Sequence, residues 1–300
     1  MSSIAPEIVV ISGKGGTGKT SITASFSALA ADNLVAADCD VDAADMHLLL
    51  KPDHAKAEDF YSGELAVIDQ DACIACGRCY QVCRFGAIQV NGSLYSVDPL
   101  SCEGCGYCAR ICPTEAISNH PEKVGVWYSS RTRLGFTMIH AKLGIGSENS
   151  GKLVAHVKKQ AKAAAEAQGK DYVLVDGSPG IGCPVVSSLS GADYVILVTE
   201  PTISGVHDLK RVYELVRKFN IPAGCIINKA DINTGMTEVI RLFLGSEGVD
   251  PLGELPYDEN VTRAMLAGLT IVEHDTGILR DTLRSAWRNV RQHVDTSKQK

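Results

Sequence analysis

Eight of the eleven cysteines fall in two runs, Cys73, Cys76, Cys79, Cys83 and Cys102, Cys105, Cys108, Cys112, while Cys39, Cys183 and Cys225 stand alone. Each run has the spacing C-x2-C-x2-C-x3-C. Thiols gathered this closely in a chain with no sign of secretion belong to metal chemistry rather than to disulfides. A second group with chemical potential is Gly13-Lys14-Gly15-Gly16-Thr17-Gly18-Lys19-Thr20, followed by Ser21, which matches G-x-x-x-x-G-K-[ST] in full. Glycines in such a loop let successive N–H groups turn inward around phosphates, and the helix that follows adds its dipole. Lys19 is expected to reach the β- and γ-phosphates, and the Thr20 hydroxyl to ligate Mg²⁺.

The cysteine spacing is that of bacterial ferredoxins, in which the fourth cysteine serves the other cluster. One four-iron, four-sulfur (4Fe-4S) cluster is thus expected on Cys73, Cys76, Cys79 and Cys112, and a second on Cys102, Cys105, Cys108 and Cys83. Structural zinc prefers four ligands in two separated pairs and fits this pattern poorly. The runs are an internal repeat at a shift of 29 residues (102 − 73), which also carries Asp69 to Asp98 and Ala87-Ile88 to Ala116-Ile117. The halves differ after the last cysteine: Pro113 follows Cys112, but Arg84 follows Cys83. Arg84 is expected to leave the second cluster wetter and to raise its potential.

These groups need elements to hold them. Ile8–Ile11 is an apolar run ahead of the glycine loop and reads as a buried strand, with Ser21–Ala31 as the helix after it. Leu34–Ala37 is a second strand, ending at Asp38. Tyr172–Val175, Tyr194–Thr199 and Gly224–Ile227 are three more, and the Lys152–Gln168 and Gly205–Asn220 patterns read as helices, the first capped by Gly169. Alternating strands and helices imply a parallel sheet with helices on both faces. The segment 123–146 reads as one or two hairpins, and Asn91-Gly92 as a tight turn between the cysteine runs. The expected organisation is an α/β P-loop NTPase domain formed by 1–60 and 123–300, interrupted by a small ferredoxin-like α+β domain at 61–122.

Lys-Gly-Gly-Thr-Gly-Lys-Thr, with its additional Lys14, resembles the deviant Walker A motif of the MinD/ParA superfamily of ATPases. The resemblance extends over about residues 4–275, to members with an inserted ferredoxin domain. It implies an ATP-sandwich dimer, of like chains or with a related ATPase, in which Lys14 reaches the nucleotide of the facing subunit. It makes Lys14, Lys19 and Asp40 catalytic, with Asp38-Cys39-Asp40 as switch I and Asp40 near Mg²⁺ and the attacking water. Val175-Asp176-Gly177-Ser178-Pro179-Gly180 resembles Walker B leading into switch II, so Asp176 is expected to hold Mg²⁺, directly or through water. Asn228-Lys229-Ala230-Asp231 resembles a base-recognition motif, with Asn228 as its firmer member, and Pro256-Tyr257-Asp258 an adenine-side loop. Turnover is expected to be slow without a partner.

A hydrophobic fraction of 45% and a charged fraction of 21% describe a folded globular chain, and a net charge of −6 calls for no nucleic acid or anionic membrane. No signal peptide or membrane span is read, so the expected compartment is the cytoplasm. Cys39 and Cys225 are expected to be buried thiols, and Cys183 to serve packing. Three functions rank in order: ATP-gated electron transfer with a redox partner protein, a positioning or scaffold ATPase, and cluster delivery. A stripe of Leu279, Leu283, Trp287, Val290 and Val294 beside Arg280, Arg284, Arg288 and Arg291 fits either a membrane-surface helix or one packed on the sheet.

Overall fold

The computed structural model describes residues 5–144, 150–275 and 277–297. It divides into two units: one takes the chain to Glu58, Trp127–Lys142 and Ser150 onward, the other Asp59–Val126 and the stretch that begins at Leu143. The strands are β1 (Glu7–Ile11), β2 (Leu34–Asp38), β3 (Lys56–Ile68), β4 (Ile88–Asn91), β5 (Leu94–Val97), β6 (Ile117–Arg131), β7 (Thr137–Leu143), β8 (Tyr172–Asp176), β9 (Tyr194–Thr199), β10 (Ala223–Asn228) and β11 (Asp250–Leu255).

In the first unit β11-β10-β9-β1-β8-β2-β7 run side by side and parallel. Strands β1, β2, β8 and β9 are buried along their whole length, as a sheet covered on both faces requires. Successive side chains point to opposite faces. Ile8, Val10, Leu34, Ala36, Leu174 and Ile196 share one core with Ile22 and Phe26 of helix Lys19–Leu29 and with Leu283 and Trp287 of helix Ile278–Ser297. Helix Ser150–Gln168 packs on β2 and β8, burying Leu153, Val154, Val157 and Ala161. It ends at Gly169, whose φ of +60° gives the expected left-handed cap.

Two features depart from the expected parallel sheet. The sheet continues past β7 through β6 and β3, and a short turn joins β6 to β7, closed by Thr132 N–H donating to the Phe136 carbonyl at 2.9 Å. Neighbouring strands joined so tightly run antiparallel, so the sheet is mixed. The 123–146 segment thus supplies the end of β6 and the whole of β7, and residues 145–146 lie outside those described. Strand β11 has no apolar run to announce it, because Pro251 and Gly253 interrupt it, and the β10 register shifts between Cys225 and Ile226 to accommodate it.

The second unit shows the repeat in its backbone. Helices Arg78–Val82 and Tyr107–Ile111 follow Gly77 and Gly106, with φ of +75° and +68°. Strands β4 and β5 pair antiparallel, from Ile88↔Val97 to Asn91↔Leu94, around Gly92 at φ +62°. Ala66, Ile68, Cys79, Ile88 and Ile117 form its core, with Cys73, Cys83, Cys102, Cys108 and Cys112 against it. Gly104, at φ +61°, lies so near the Glu64 carbonyl that a Cβ would collide with it.

The C-terminal stripe is resolved by its burial. Leu279, Leu283, Trp287, Val290 and Val294 are each no more than 4% exposed, and the helix packs against β11, so this stripe is not presented to a membrane surface. No described helix is long and apolar enough to cross a membrane. Leu283→Ala is expected to destabilise this unit by about 3 kcal/mol, the usual cost of a buried leucine cavity. Denaturant unfolding followed by circular dichroism checks this; an unchanged midpoint contradicts the packing described.

Candidate functional site

The glycine loop leaves β1 at the carboxyl edge of the parallel strands, where open α/β sheets place their ligands. Gly18 has φ +90° and precedes helix Lys19–Leu29 with no side-chain cap, so the first-turn N–H groups face the loop. A Cβ at Gly18 would come within 2.5 Å of Asn228 Nδ2. Lys19 points inward, its Nζ 3.0 Å from Asp176 Oδ1 and 3.3 Å from Asp40 Oδ2. Thr20 Oγ1 donates to Asp176 Oδ2 at 2.7 Å, and Thr23 Oγ1 to Asp176 Oδ1 at 2.8 Å. Asp38 lies beside them, its Oδ1 accepting the Asp40 N–H at 3.2 Å.

Three carboxylates thus surround one ammonium. Burial alone would lower Lys19, but Asp176 and Asp40 outweigh it and hold the ammonium above its ordinary value. Burial, reinforced by Asp176, pushes Asp38 well above the carboxylate range. Asp40 is raised by burial too, with Lys19 opposing and Asp176 adding to the rise. Asp38 Oδ2 is buried and has no hydrogen-bond partner. The site carries more negative charge than Lys19 neutralises, a surplus that suits a divalent cation. Thr20, Asp40 and Asp176 are the side chains placed to receive it.

The switch-like segments are tied to this centre through their backbones. The Cys39 N–H donates to the Asp176 carbonyl at 2.8 Å and Gly180 N–H to the Ser12 carbonyl at 2.9 Å. Ser178 Oγ donates to the Cys39 carbonyl at 2.8 Å. Lys14 turns back onto its own chain: its Nζ is 2.6 Å from Glu200 Oε1 and donates to Ser204 Oγ at 2.9 Å and Thr202 Oγ1 at 3.2 Å. Lys229 Nζ meets the other oxygen of Glu200 at 3.1 Å. Burial raises Glu200, but the two lysines outweigh it and hold it below its usual value.

The residues expected at the base have structural partners. Asn228 Nδ2 donates to the Thr17 carbonyl at 2.8 Å, bracing the loop from below. Asp231 Oδ1 accepts the Tyr257 N–H at 2.7 Å, which anchors the Pro256–Asp258 loop, and Asp258 Oδ1 caps helix Glu259–Ala267 through Asn260 N–H at 2.8 Å. Ser21, nearly buried, contacts Met265 Sδ at 3.8 Å.

Two cavities among the described residues of the second unit are lined by cysteines. One is lined by Cys73, Cys76, Cys79 and Cys112, together with Arg78, Thr114 and Tyr95. The other is lined by Cys102, Cys105, Cys108 and Cys83, together with Arg84, Phe85 and Tyr107. Each takes three thiols from one run and the fourth from the other. The second is roomy, about 360 Å³; the first is about 20 Å³, and a large guest there requires its side chains to part. Among the described residues, no group of three or more His, Cys, Asp or Glu side chains is arranged to hold a metal ion. Burial raises Cys79 and Cys108, each with two cysteines of its own run nearby.

Of the solitary cysteines, Cys39 and Cys225 are buried as expected, but Cys183 is exposed. It is the first residue of helix Cys183–Leu189. Sequence reasoning missed several anchors. Lys158 reaches Glu7 at 2.7 Å and the carbonyls of Ser187 (3.0 Å), Ser188 (2.5 Å) and Ser190 (2.7 Å), closing the C-terminal end of that helix. His140, the register partner of Asp38, stacks on Tyr128, with ring centroids 4.9 Å apart, and bonds Ser130 Oγ at 3.0 Å.

The CobQ/CobB/MinD/ParA nucleotide binding domain family matches residues 8–271. An uncharacterized protein of Methanocaldococcus jannaschii, MJ0578, is 37% identical over 232 residues, 76% of this chain and 79% of its own. A chain of the MinC:MinD cell division protein complex from Aquifex aeolicus superposes with a TM-score of 0.60 at 16% identity, covering 96% of each chain. The septum site-determining protein MinD complexed with Mg-ADP, from Pyrococcus horikoshii OT3, superposes with a TM-score of 0.57 at 19% identity, covering 95% of this chain and 96% of that one. At these identities the solved structures speak for the fold.

Two outcomes follow from the geometry. Lys19→Ala leaves three crowded carboxylates without their ammonium and is expected to weaken Mg·ATP binding by about 100-fold, some 2.7 kcal/mol. Lys14→Ala, which removes a group held on Glu200, is expected to leave the affinity of the isolated chain within about threefold. Calorimetric titration separates the two, and equal losses contradict the arrangement. Burial, with His54 and His47 nearby, pushes His140 down to about 4. A folded value below the unfolded one means that the neutral ring's stabilisation is complete above about pH 6.5. It is lost as the pH falls toward 4, by about 3 kcal/mol in total. His140→Gln is expected to flatten the pH dependence of the unfolding midpoint in that window; an unaltered slope contradicts it.

Proposed function

This chain belongs to the CobQ/CobB/MinD/ParA nucleotide-binding family, and from that premise we propose an ATPase whose nucleotide state governs electron transfer by two 4Fe-4S clusters. The family and the folds carry the nucleotide half. The cluster half rests on one observation: the eight repeat cysteines divide between two cavities with the fourth member of each set exchanged. That exchange supports Cys73, Cys76, Cys79 and Cys112 as ligands of one cluster and Cys102, Cys105, Cys108 and Cys83 as ligands of the other. A group wider than a single ion suits thiols that line a cavity without converging on a point. Each cluster would supply one-electron chemistry when bound. The domain division proposed is 1–60 with 123–300 for the nucleotide and 61–122 for the clusters.

At the phosphate end, Gly13 to Thr20 and Ser21 enclose the nucleotide with backbone N–H groups, and Lys19 leaves its carboxylates to meet the β- and γ-phosphates. Mg²⁺, held by Thr20, Asp40 and Asp176 directly or through water, would neutralise the charge that develops on the phosphates. Asp40, freed from Lys19, orients the attacking water. Asn228 and Pro256, Tyr257 and Asp258 border the base. Lys14 leaves Glu200 for the nucleotide of a facing subunit, whether a second copy or a related ATPase. Nucleotide-driven movement of Asp38–Asp40 passes along the chain toward 61, which gives the clusters and a redox partner protein their dependence on ATP.

The comparisons by themselves favour a second reading, a MinD-like positioning or scaffold ATPase. Burial of the C-terminal stripe argues against its membrane-surface form. Cluster delivery ranks third, because the cysteine pairs lie within the two four-cysteine sets.

The test is made on the protein purified without oxygen. About eight iron atoms per chain are expected, four for each cluster, with reduced-state EPR or transfer to an electron acceptor altered by Mg·ATP. Clusters indifferent to nucleotide leave the positioning reading in possession. The exchange of fourth ligands is checked by paired substitutions. Cys73→Ala with Cys83→Ala is expected to remove both clusters, whereas Cys73→Ala with Cys112→Ala removes one and leaves about four iron atoms per chain. The opposite result assigns each run to its own cluster.

A further inference from the structure

The two cysteine sets are related by the repeat, yet their fourth members have different surroundings. Cys112 Sγ lies 3.7 Å from Thr114 Oγ1, and both residues line the same cavity. A ligating cysteine is a thiolate and has no proton to give, so the threonine hydroxyl must donate. The shift of 29 residues that carries Cys83 to Cys112 carries Phe85 to Thr114. Phe85 lines the cavity of Cys83 and has no hydroxyl to offer. Charge separates the two sites less than this, since Arg78 lines one cavity and Arg84 the other. Arg84 is also exposed, where solvent screens it.

We infer that Thr114 sets the potential of the cluster held through Cys112, and that Phe85 withholds the same hydrogen bond from the cluster held through Cys83. A donor to a ligand sulfur withdraws negative charge and favours the reduced cluster. Thr114 therefore biases a shared electron toward the Cys112 side, by up to about tenfold for one hydrogen bond to a charged group. It is a positioning and tuning residue, and ligation remains with the cysteines. The inference rests on the two-cluster reading above.

The experiment is an EPR-monitored redox titration of the full chain, prepared without oxygen, as wild type, Thr114→Val, Thr114→Ser and Phe85→Thr. Iron and acid-labile sulfide are counted first. Thr114→Val is expected to move one midpoint to more negative potential and leave the other in place, and Thr114→Ser to keep the wild-type values. Phe85→Thr is expected to raise the midpoint that Thr114→Val leaves unmoved, which decides the matter even if the valine variant folds poorly. With two clusters present, midpoints indifferent to Thr114→Val, or the same midpoint moving in both variants, overturn the inference and leave the two-cluster reading intact. A chain without iron and sulfide overturns both.

Discussion

The ion cluster beneath the glycine loop is the contact on which the rest of the nucleotide site depends. Asp176, fully buried, receives Lys19 at 3.0 Å and the hydroxyls of Thr20 and Thr23 at 2.7 and 2.8 Å. A buried carboxylate persists only if its oxygens are met by donors and its charge by a cation. Those donors come from the first two turns of helix Lys19–Leu29, so satisfying Asp176 fixes the helix against β8. Fixing that helix sets the direction in which the loop amides point. The same contact gathers Asp38 and Asp40 around Lys19, where burial makes their negative charge costly. The isolated chain thus holds Lys19 among carboxylates in an arrangement that a phosphate and a divalent cation would take apart.

Legibility in the sequence followed the range of the interaction. The glycine loop, strands β1, β2, β8, β9 and β10, and helix Ser150–Gln168 were readable because their signals lie within a few residues: an apolar run, a glycine at a required positive φ, a helical period. The same holds for the cysteine repeat, whose internal shift relates the two halves by residue type alone. Strand β11 was not readable, because Pro251 and Gly253 remove the apolar run and pairing with β10 holds it in place. Nor were β3 and β6 as members of the main sheet, since a strand carries no local mark of its neighbour. The partner of Lys14 was hidden for the same reason: Glu200 is far along the chain, and nothing around it distinguishes it from a surface carboxylate.

Within the site, motif residues and structural residues proved to overlap. Asn228 braces the Thr17 carbonyl, and Asp231 holds the Tyr257 N–H, so both are engaged before any base arrives. Asp258 caps a helix. A motif read from sequence specifies residue types, whereas the structure adds which of their hydrogen-bonding groups are already committed. The Asp231 carboxylate is committed to the loop at Tyr257, which suits a positioning role for it.

A γ-phosphate would be felt elsewhere through three contacts, two between backbones and one from a side chain. Gly180 N–H is held by the Ser12 carbonyl, and Cys39 N–H by the Asp176 carbonyl, while Ser178 Oγ is held by the Cys39 carbonyl. The segments after β2 and β8 are therefore bonded to each other and, through Gly180, to the start of the glycine loop. A segment bonded in this way moves with its neighbours or breaks a bond that costs about 1 kcal/mol net. Drawing Lys19 onto a phosphate would release Asp40, which directly follows Cys39, whose N–H and carbonyl make the bonds that the two segments share. Small rearrangements at a phosphate would thus be passed to two stretches of backbone at once, those that follow β2 and β8.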